Sequence, residues 1–236
     1  MIIGEATELH LATGQRGRAE IIMEAGGRSA HSAHAHLGIN AIERAMQALT
    51  EIQKRKIPRS VFLGEGSLVV TDIISSPYPG RSVVPSNCRL TFDRRVLLAE
   101  TGRSVIEDLQ KSMPPETGTT VKLAAYSFRT YTGQTVAGES FAPAWYFDSS
   151  HSGVQVALDA LLRAGIQTGL KTYGFCTNGS GSAGKRRIFT LGFGPGSEGD
   201  AHTTDESLAI DQLAKAVQGY KELFRSLARG EKNGRT

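Results

Sequence analysis

The chain has 236 residues, 39% of them hydrophobic and 21% charged, with a formal net charge of +4, enough for a full core in one large or two small domains. No apolar run approaches the roughly 20 residues of a membrane span, and the start Met1-Ile2-Ile3-Gly4-Glu5 lacks the basic and apolar stretches of a secretory signal. Only Cys88 and Cys176 can pair and the basic residues are interleaved with acidic ones, so the expectation is a reducing, cytoplasmic setting with no membrane and no nucleic acid.

The first element is a short apolar strand, Met1 to Ile3, running into Gly4-Glu5-Ala6-Thr7. Alternation from Gly17 to Glu24 predicts a second strand, closed by Gly26-Gly27 and followed by a histidine-rich loop. Ile42, Ala45, Met46, Leu49 and Ile52 stand at helical spacing and predict a helix from Asn40 to Ile52. Strands are expected at Ser67 to Ile74 and Cys88 to Phe92, paired antiparallel across Pro77, Pro79, Gly80 and Pro85. A helix from Thr101 to Met113 and a strand from Thr120 to Phe128 complete the order strand, helix, strand, strand, helix, strand. That order is the split β-α-β arrangement of a ferredoxin-like fold, and residues 14–128 are assigned to it.

Residues 129–147 read as irregular. A helix from Gly153 to Ala164, strands from Lys171 to Phe175 and Arg187 to Phe193, and a helix from Glu206 to Leu227 form a different α/β domain, 129–236. Thr203 and Glu206 stand at capping-box spacing before the last helix, which puts His202 in a loop between strand and helix. Active sites are built at such strand ends. The tail, 229–236, is polar.

Two phosphate-binding patterns fail on context. Gly179-Ser180-Gly181-Ser182-Ala183-Gly184-Lys185 resembles a P-loop, but Arg186 stands where a Ser or Thr should hold magnesium and a strand is expected after it. Gly194-Pro195-Gly196-Ser197-Glu198-Gly199 fits G-x-G-x-x-G, yet no second strand follows to carry a ribose-binding acid. Neither Ser182 nor Ser197 has the glycine two residues earlier that a nucleophile elbow requires. His31, His34 and His36 read as a solvated loop, as a catalytic or substrate-binding histidine, or as a local metal site that lacks a fourth ligand. His202, flanked by acids, is a loop histidine or a metal ligand with an orienting carboxylate. Glu5 is a loop carboxylate or a ligand.

Taken together, Gly4-Glu5-Ala6-Thr7, Gly27-Arg28-Ser29-Ala30-His31 with Gly38-Ile39-Asn40-Ala41, Pro85 with Asp93-Arg94-Arg95, Thr177-Asn178-Gly179, and Gly192-Phe193-Gly194-Pro195-Gly196 with Ala201-His202 resemble the zinc aminoacylase, carboxypeptidase G and acetylornithine deacetylase superfamily. The selenium-metabolism-linked hydrolases are the most similar branch. The resemblance implies a ferredoxin-like dimerisation or lid domain, residues 14–128, inserted in a two-zinc α/β catalytic domain of which residues 1–13 and 129–236 are parts. It implies zinc ligation by Glu5 and His202, on different ions of the pair, and a role for His31 at the scissile carbonyl across a homodimer. It also implies a substrate carboxylate held by Arg95, with Thr177 and Asn178 beside the substrate, a small peptide or N-acyl amino acid. Ser82 stands where the superfamily has the asparagine that partners the arginine.

The superfamily's His-x-Asp motif, its bridging aspartate and its Glu-Glu pair, whose first member is the general base, are missing. No histidine here has an aspartate two positions on, and no Glu-Glu pair occurs. A catalytic zinc needs about three protein ligands and a water, so the expectation is the C-terminal portion of a zinc amidohydrolase with weak or no zinc binding, inactive alone. A separate N-terminal half is an implied partner. The alternative is a non-catalytic dimerisation module or vestigial fragment.

Overall fold

The structure, a computed structural model, describes residues 1–233. In chain order its elements are β1 (Ile2–Gly4), β2 (Leu11–Gln15), β3 (Gly17–Gly26), α1 (Ala41–Gln53), β4 (Ser67–Ser76), β5 (Asn87–Val96), α2 (Gly102–Ser112), β6 (Thr119–Leu123), β7 (Ala125–Arg129), β8 (Thr135–Glu139), β9 (Phe141–Ala142), β10 (Trp145–Tyr146), α3 (Ser152–Arg163), β11 (Leu170–Tyr173), β12 (Leu191–Phe193) and α4 (Ile210–Asn233). They fall into two compact units. The first comprises Met1–Arg16, Val61–Gly64 and the chain from Pro143 onward; the second comprises Gly17–Ser60 and Glu65–Ala142. Among the described residues no helix is long and apolar enough to cross a membrane.

The second unit is built on β3. Its odd-numbered residues Ala19, Ile21, Met23 and Ala25 are fully buried, as period-two alternation demands of a half-covered strand. β3 pairs antiparallel with β5 along one edge, in register Ile21 to Phe92. It also pairs antiparallel with β6 and β9, and β4 extends the sheet beyond β5. The order β6-β3-β5-β4, with both helices against the sheet, is the ferredoxin-like βαββαβ arrangement. The helix α1 faces the sheet with Ala41, Ala45, Ala48 and Ile52; the short side chains let it approach Leu90 and Phe92 closely. Asn40 caps it, its side chain accepting from the Ile42 N–H at 3.0 Å. Thr101 and Ser104 form a reciprocal capping box at the start of α2.

Expected and observed elements differ after Leu123. The strand expected to run to Phe128 breaks at buried Ala124, whose N–H donates to Glu20 O (2.8 Å) and whose carbonyl accepts from Ser140 N. Beyond it β7 and β8 form a separate antiparallel hairpin, with Val136 opposite Phe128. The segment read as irregular therefore contains β8, β9 and β10.

In the first unit β2 is the hub, and all five of its residues are buried. It pairs parallel with β11 and antiparallel with β10 and β12, while β1 lies parallel beside β12 with Ile3 opposite Gly192. The helices α3 and α4 pack on each other and close a core of Leu11, Val154, Ala157, Leu161, Leu191, Phe193, Ala216 and Leu223. The last helix starts at Ile210, four residues later than expected, because the capping box does not form: Thr203 Oγ1 donates to Asp200 O and the Glu206 carboxylate accepts from His202 N. It runs to Asn233, into the segment read as a polar tail; residues 234–236 of that tail lie outside the described residues. The expected strand from Arg187 shortens to β12, and Ser180–Lys185 is a π-helical turn with Ser180, Ser182 and Ala183 buried, which further removes the P-loop pattern from phosphate chemistry.

Candidate active site

The carboxyl ends of the parallel pair β1 and β12 carry the two glycine-rich motifs, and the backbone zips them together. Glu8 N donates to Gly196 O (2.8 Å) and Leu9 N to Gly194 O (2.9 Å). Fully buried Thr7 closes the same junction, its hydroxyl donating to Gly194 O (2.9 Å) and accepting from Gly194 N (3.0 Å). A Cβ on Gly194 would lie 2.4 Å from the Glu5 carbonyl oxygen, so only glycine permits the approach. The sequence motifs Gly-Glu-x-Thr and Gly-Phe-Gly-Pro-Gly thus have one physical cause.

Glu5 follows β1 directly and is half-buried. Burial holds its carboxyl above the ordinary range, and the nearby Glu198 carboxylate adds to the shift. Beneath lies Tyr173, fully buried, whose hydroxyl finds no hydrogen-bond partner among the described residues. Burial first, then the charges of Glu5, Tyr220 and Glu198, push its phenol up. Gly192 makes the room: a Cβ there would stand 2.1 Å from the Tyr173 hydroxyl. Tyr220 on α4 donates a short bond (2.5 Å) to Phe193 O, and burial followed by Glu5 raises its phenol as well. A side chain on Gly174 would meet both Arg16 and Glu198, each 3.1 Å from its Cβ. Glu198, Tyr173, Tyr220 and Arg16 escaped the sequence reading. Glu198 alone had a visible signal, as the one acid inside the glycine-rich segment 194–199.

His202 stands in the exposed loop 199–209 with a left-handed backbone (φ 65°), its N–H donating to Glu206 at 3.0 Å. Thr177 and Asn178 follow β11. Thr177 turns inward, its hydroxyl donating to Gln15 Oε1 and accepting from Gly179 N, whereas Asn178 is exposed at the tip of the loop. With Glu5, these three residues belong to the first unit.

His31 and Arg95 belong to the second unit. His31 precedes the 3-10 turn Ser32–Leu37 and caps it, Nδ1 accepting from Ala33 N at 3.0 Å. His34 and His36 follow on the exposed turn, ring centroids 6.4 Å from His31 to His34 and 6.2 Å onward to His36. The turn is joined to the segment 82–84 by Ser32 N to Ser82 O (3.0 Å) and Val84 N to Ala30 O (2.8 Å). Arg95 lies on the sheet face opposite buried Arg94, and Asp93 takes its Nε at 3.0 Å while also accepting from Arg18 Nε at 2.6 Å.

Comparison with known proteins places these motifs. Residues 13–119 match the peptidase dimerisation domain of the M20 peptidases. The protein YgeY of Escherichia coli K12 is 30% identical over 221 residues, covering 92% of this chain and 54% of YgeY. A protein of Talaromyces marneffei named as a probable carboxypeptidase is 26% identical over 243 residues, 96% of this chain and 48% of its own length. Residues 13–119 carry the peptidase dimerisation domain, and nearly the whole chain is similar to relatives named as probable carboxypeptidases. Its fold matches that of an M20 family metallo-carboxypeptidase from Sulfolobus solfataricus, with a TM-score of 0.63 at 14% identity, covering 96% of this chain and 62% of that one. The chain spans about half the length of the relatives it matches.

A metallopeptidase relationship makes the donor set a test. The chain brings Glu5 and Glu198 near each other, like charges that a cation would relieve. Yet among the described residues no three His, Cys, Asp or Glu side chains converge to hold a metal ion. The donors of the described residues do not by themselves fit one.

Proposed function

We propose that this chain supplies the dimerisation unit and the C-terminal portion of the catalytic unit of a zinc-dependent amidohydrolase that cleaves the amide bond of a small peptide or N-acyl amino acid, and that it is inactive alone. The observation that carries the reading is the zipped junction of the two glycine-rich segments, which holds Glu5 beside Glu198 at the carboxyl ends of parallel strands in a chain similar to probable carboxypeptidases. Glu5 and His202 are the metal ligands offered by this chain; two zinc ions are the complement of the complete enzyme, with the remaining ligands contributed from outside this chain.

The chain's own groups divide the remaining work. Because His31 commits Nδ1 to the Ala33 N–H, its neutral ring keeps the proton on Nε2 and presents a donor, suited to a carbonyl oxygen that gains negative charge. Arg95 supplies a planar fork for the substrate carboxylate, pre-set by Asp93. Asn178 faces the substrate from the loop that Thr177 anchors. Homodimerisation through the second unit, in a reducing cytoplasm, completes the reading; both cysteines are free in the structure.

A second reading, a non-catalytic dimerisation module, is favoured by the family match at residues 13–119 lying almost wholly within the second unit. Zinc analysis after dialysis against the metal separates the readings from a self-sufficient enzyme. The expected result is near-zero zinc in this chain and restored zinc with amide hydrolysis when it is co-expressed with the complementary half of a relative, lost again in Glu5→Ala and His202→Ala. About two tightly held zinc ions in the chain alone would overturn its incompleteness, and no hydrolysis from the reconstituted pair would leave the module reading.

A further inference from the structure

Gln15 is fully buried, a setting in which a primary amide must have both its donors and its acceptor engaged. Its oxygen accepts from Thr177 N (3.1 Å) and from Thr177 Oγ1 (2.5 Å). Its nitrogen donates to Ser180 Oγ at 2.9 Å, with longer contacts to Thr177 O (3.4 Å) and Cys176 Sγ (3.5 Å). Ser180, also buried, passes its own proton to Pro143 O at 2.7 Å, which leaves its oxygen to accept from Gln15 and from the Cys176 thiol 3.3 Å away. The short bonds of this cluster run in one consistent direction, Thr177 to Gln15, Gln15 to Ser180 and Ser180 to Pro143, while the Cys176 thiol shares its one proton between Ser180 Oγ and Thr177 O. One side chain therefore fixes both sides of the loop, Thr177 before Asn178 and Ser180 after it, while Asn178 itself is exposed. Trp145 closes the floor, since a Cβ on Gly179 would lie 2.5 Å from its indole nitrogen.

We propose that Gln15 is the positioning residue of the Thr177–Asn178–Gly179–Ser180 loop: its buried amide grips the loop on both sides of Asn178 and sets the direction in which Asn178 is presented. The loop has no sheet ladder of its own between β11 and the π-helical turn, so the Gln15 amide supplies the order that regular structure does not. The same grip holds the strands that flank the second unit in sequence: Gln15 precedes the passage at Gly17, Pro143 follows the return after Ala142, and Trp145 pairs with Gln15 in the sheet. The functional consequence rests on the reading of Asn178 as a substrate-facing residue.

The cluster contains its own reporter. Cys176 is half-buried within it, whereas Cys88, the other thiol, is fully buried with its ionisation pushed up by that burial, so a disulfide reagent such as 5,5′-dithiobis(2-nitrobenzoate) reads Cys176 in the native full-length chain. Gln15→Met keeps the volume and removes every polar contact; it is expected to speed Cys176 labelling by about tenfold or more through local opening, with the circular dichroism spectrum and the protection of Cys88 unchanged. Ser180→Ala is the milder variant and decides the matter if Gln15→Met does not fold; it is expected to speed labelling about threefold. Wild-type labelling rates in a folded Gln15→Met, or in Ser180→Ala, would overturn the grip. N-acetylalanine followed at the Asn178 side-chain amide by NMR, in the chain paired with the complementary half of a relative, supplies the functional arm. A shift in the wild type that is weakened at least severalfold in Gln15→Met supports positioning, and an undiminished shift in a fast-labelling Gln15→Met overturns it. No shift in the wild type removes the substrate role of Asn178, whereas the grip itself stands or falls on the labelling.

Discussion

The two units of the chain both set α-helices on a sheet, but α1 of the second unit and α4 of the first differ in how much of their apolar surface is covered. In the second unit α1 turns Ala41, Ala45, Ala48 and Ile52 to the sheet and leaves only Ile42 and Met46 partly open. In the first unit α4 buries Ala216 and Leu223 on one face yet exposes Ile210, Leu213, Val217 and Phe224, the last 61% accessible, at spacings of three, four and seven residues. That spacing is a second apolar stripe on the same helix. β1, meanwhile, pairs only with β12 among the described residues, so its other edge offers unpaired backbone groups. An exposed apolar stripe on a helix and an open sheet edge are surfaces that association covers, and the chain spans about half the length of the relatives it matches.

The largest test of the contrast removes the ring of Phe92, almost fully buried between β5 and the helices of the second unit. Phe92→Ala is expected to cost that unit about 3–5 kcal/mol. The single tryptophan, Trp145, lies in the first unit, so urea unfolding followed by its fluorescence should stay put while the circular dichroism transition moves to lower urea. Parallel movement of both signals would show one cooperative core in place of two. Next in size is Gly192→Ala in the first unit. Its methyl would collide with the Tyr173 ring, at 2.1–2.7 Å in the native positions, and overpacking of this kind costs about 1–3 kcal/mol. Here the tryptophan signal should shift and the second unit remain; an unshifted tryptophan transition would mean that the Tyr173 pocket yields freely.

The helices and most strands of both units were legible in the sequence, α3, β11 and β1 to within two residues, whereas β2 and β10 of the first unit were not. Alternation over Gly17–Glu24 and the helical spacing from Ile42 to Ile52 are each local and strong, so the ferredoxin-like order follows from them. The break at Ala124 is set instead by its bonds to Glu20 and Ser140, partners far along the chain that no local pattern records. β2 failed for a related reason: with all five residues of Leu-Ala-Thr-Gly-Gln buried, it shows no period. At the site, Glu5 and His202 carry motif signals, whereas Tyr173, Glu198 and Gln15 matter through what folding brings beside them. Thr177, like Asn178, enters through the Thr-Asn-Gly motif as a residue beside the substrate, and the structure commits its hydroxyl to Gln15.

A third test addresses the open face of α4 directly. Val217→Lys with Phe224→Lys changes two exposed residues, 48% and 61% accessible, so the unfolding free energy should move by no more than about 0.5 kcal/mol. Association beyond the dimer of the second unit, through the stripe, where each apolar side chain offers roughly 1.5–3 kcal/mol of burial, should weaken by at least an order of magnitude, seen as a rise in its dissociation constant by sedimentation equilibrium. Higher association equal to the wild type would mean that copies do not meet on the open face of α4.

The smallest expected effect lies in the second unit, at the one position where its motif departs from the superfamily pattern. Ser82 stands where an asparagine is expected, and its backbone is left-handed, φ 55°, a region that disfavours most side chains and that asparagine tolerates. Its carbonyl accepts from Ser32 N, tying the segment to the turn capped by His31, so the strain must be held by the structure around it. Ser82→Asn should relieve part of it and raise the stability of the second unit by roughly 0.5 kcal/mol, seen as a small rise in the midpoint of the circular dichroism transition with no change at Trp145. A loss of stability would mean that the serine hydroxyl is doing something there that the asparagine cannot, and would detach the backbone geometry at this position from the reason the superfamily places asparagine in it.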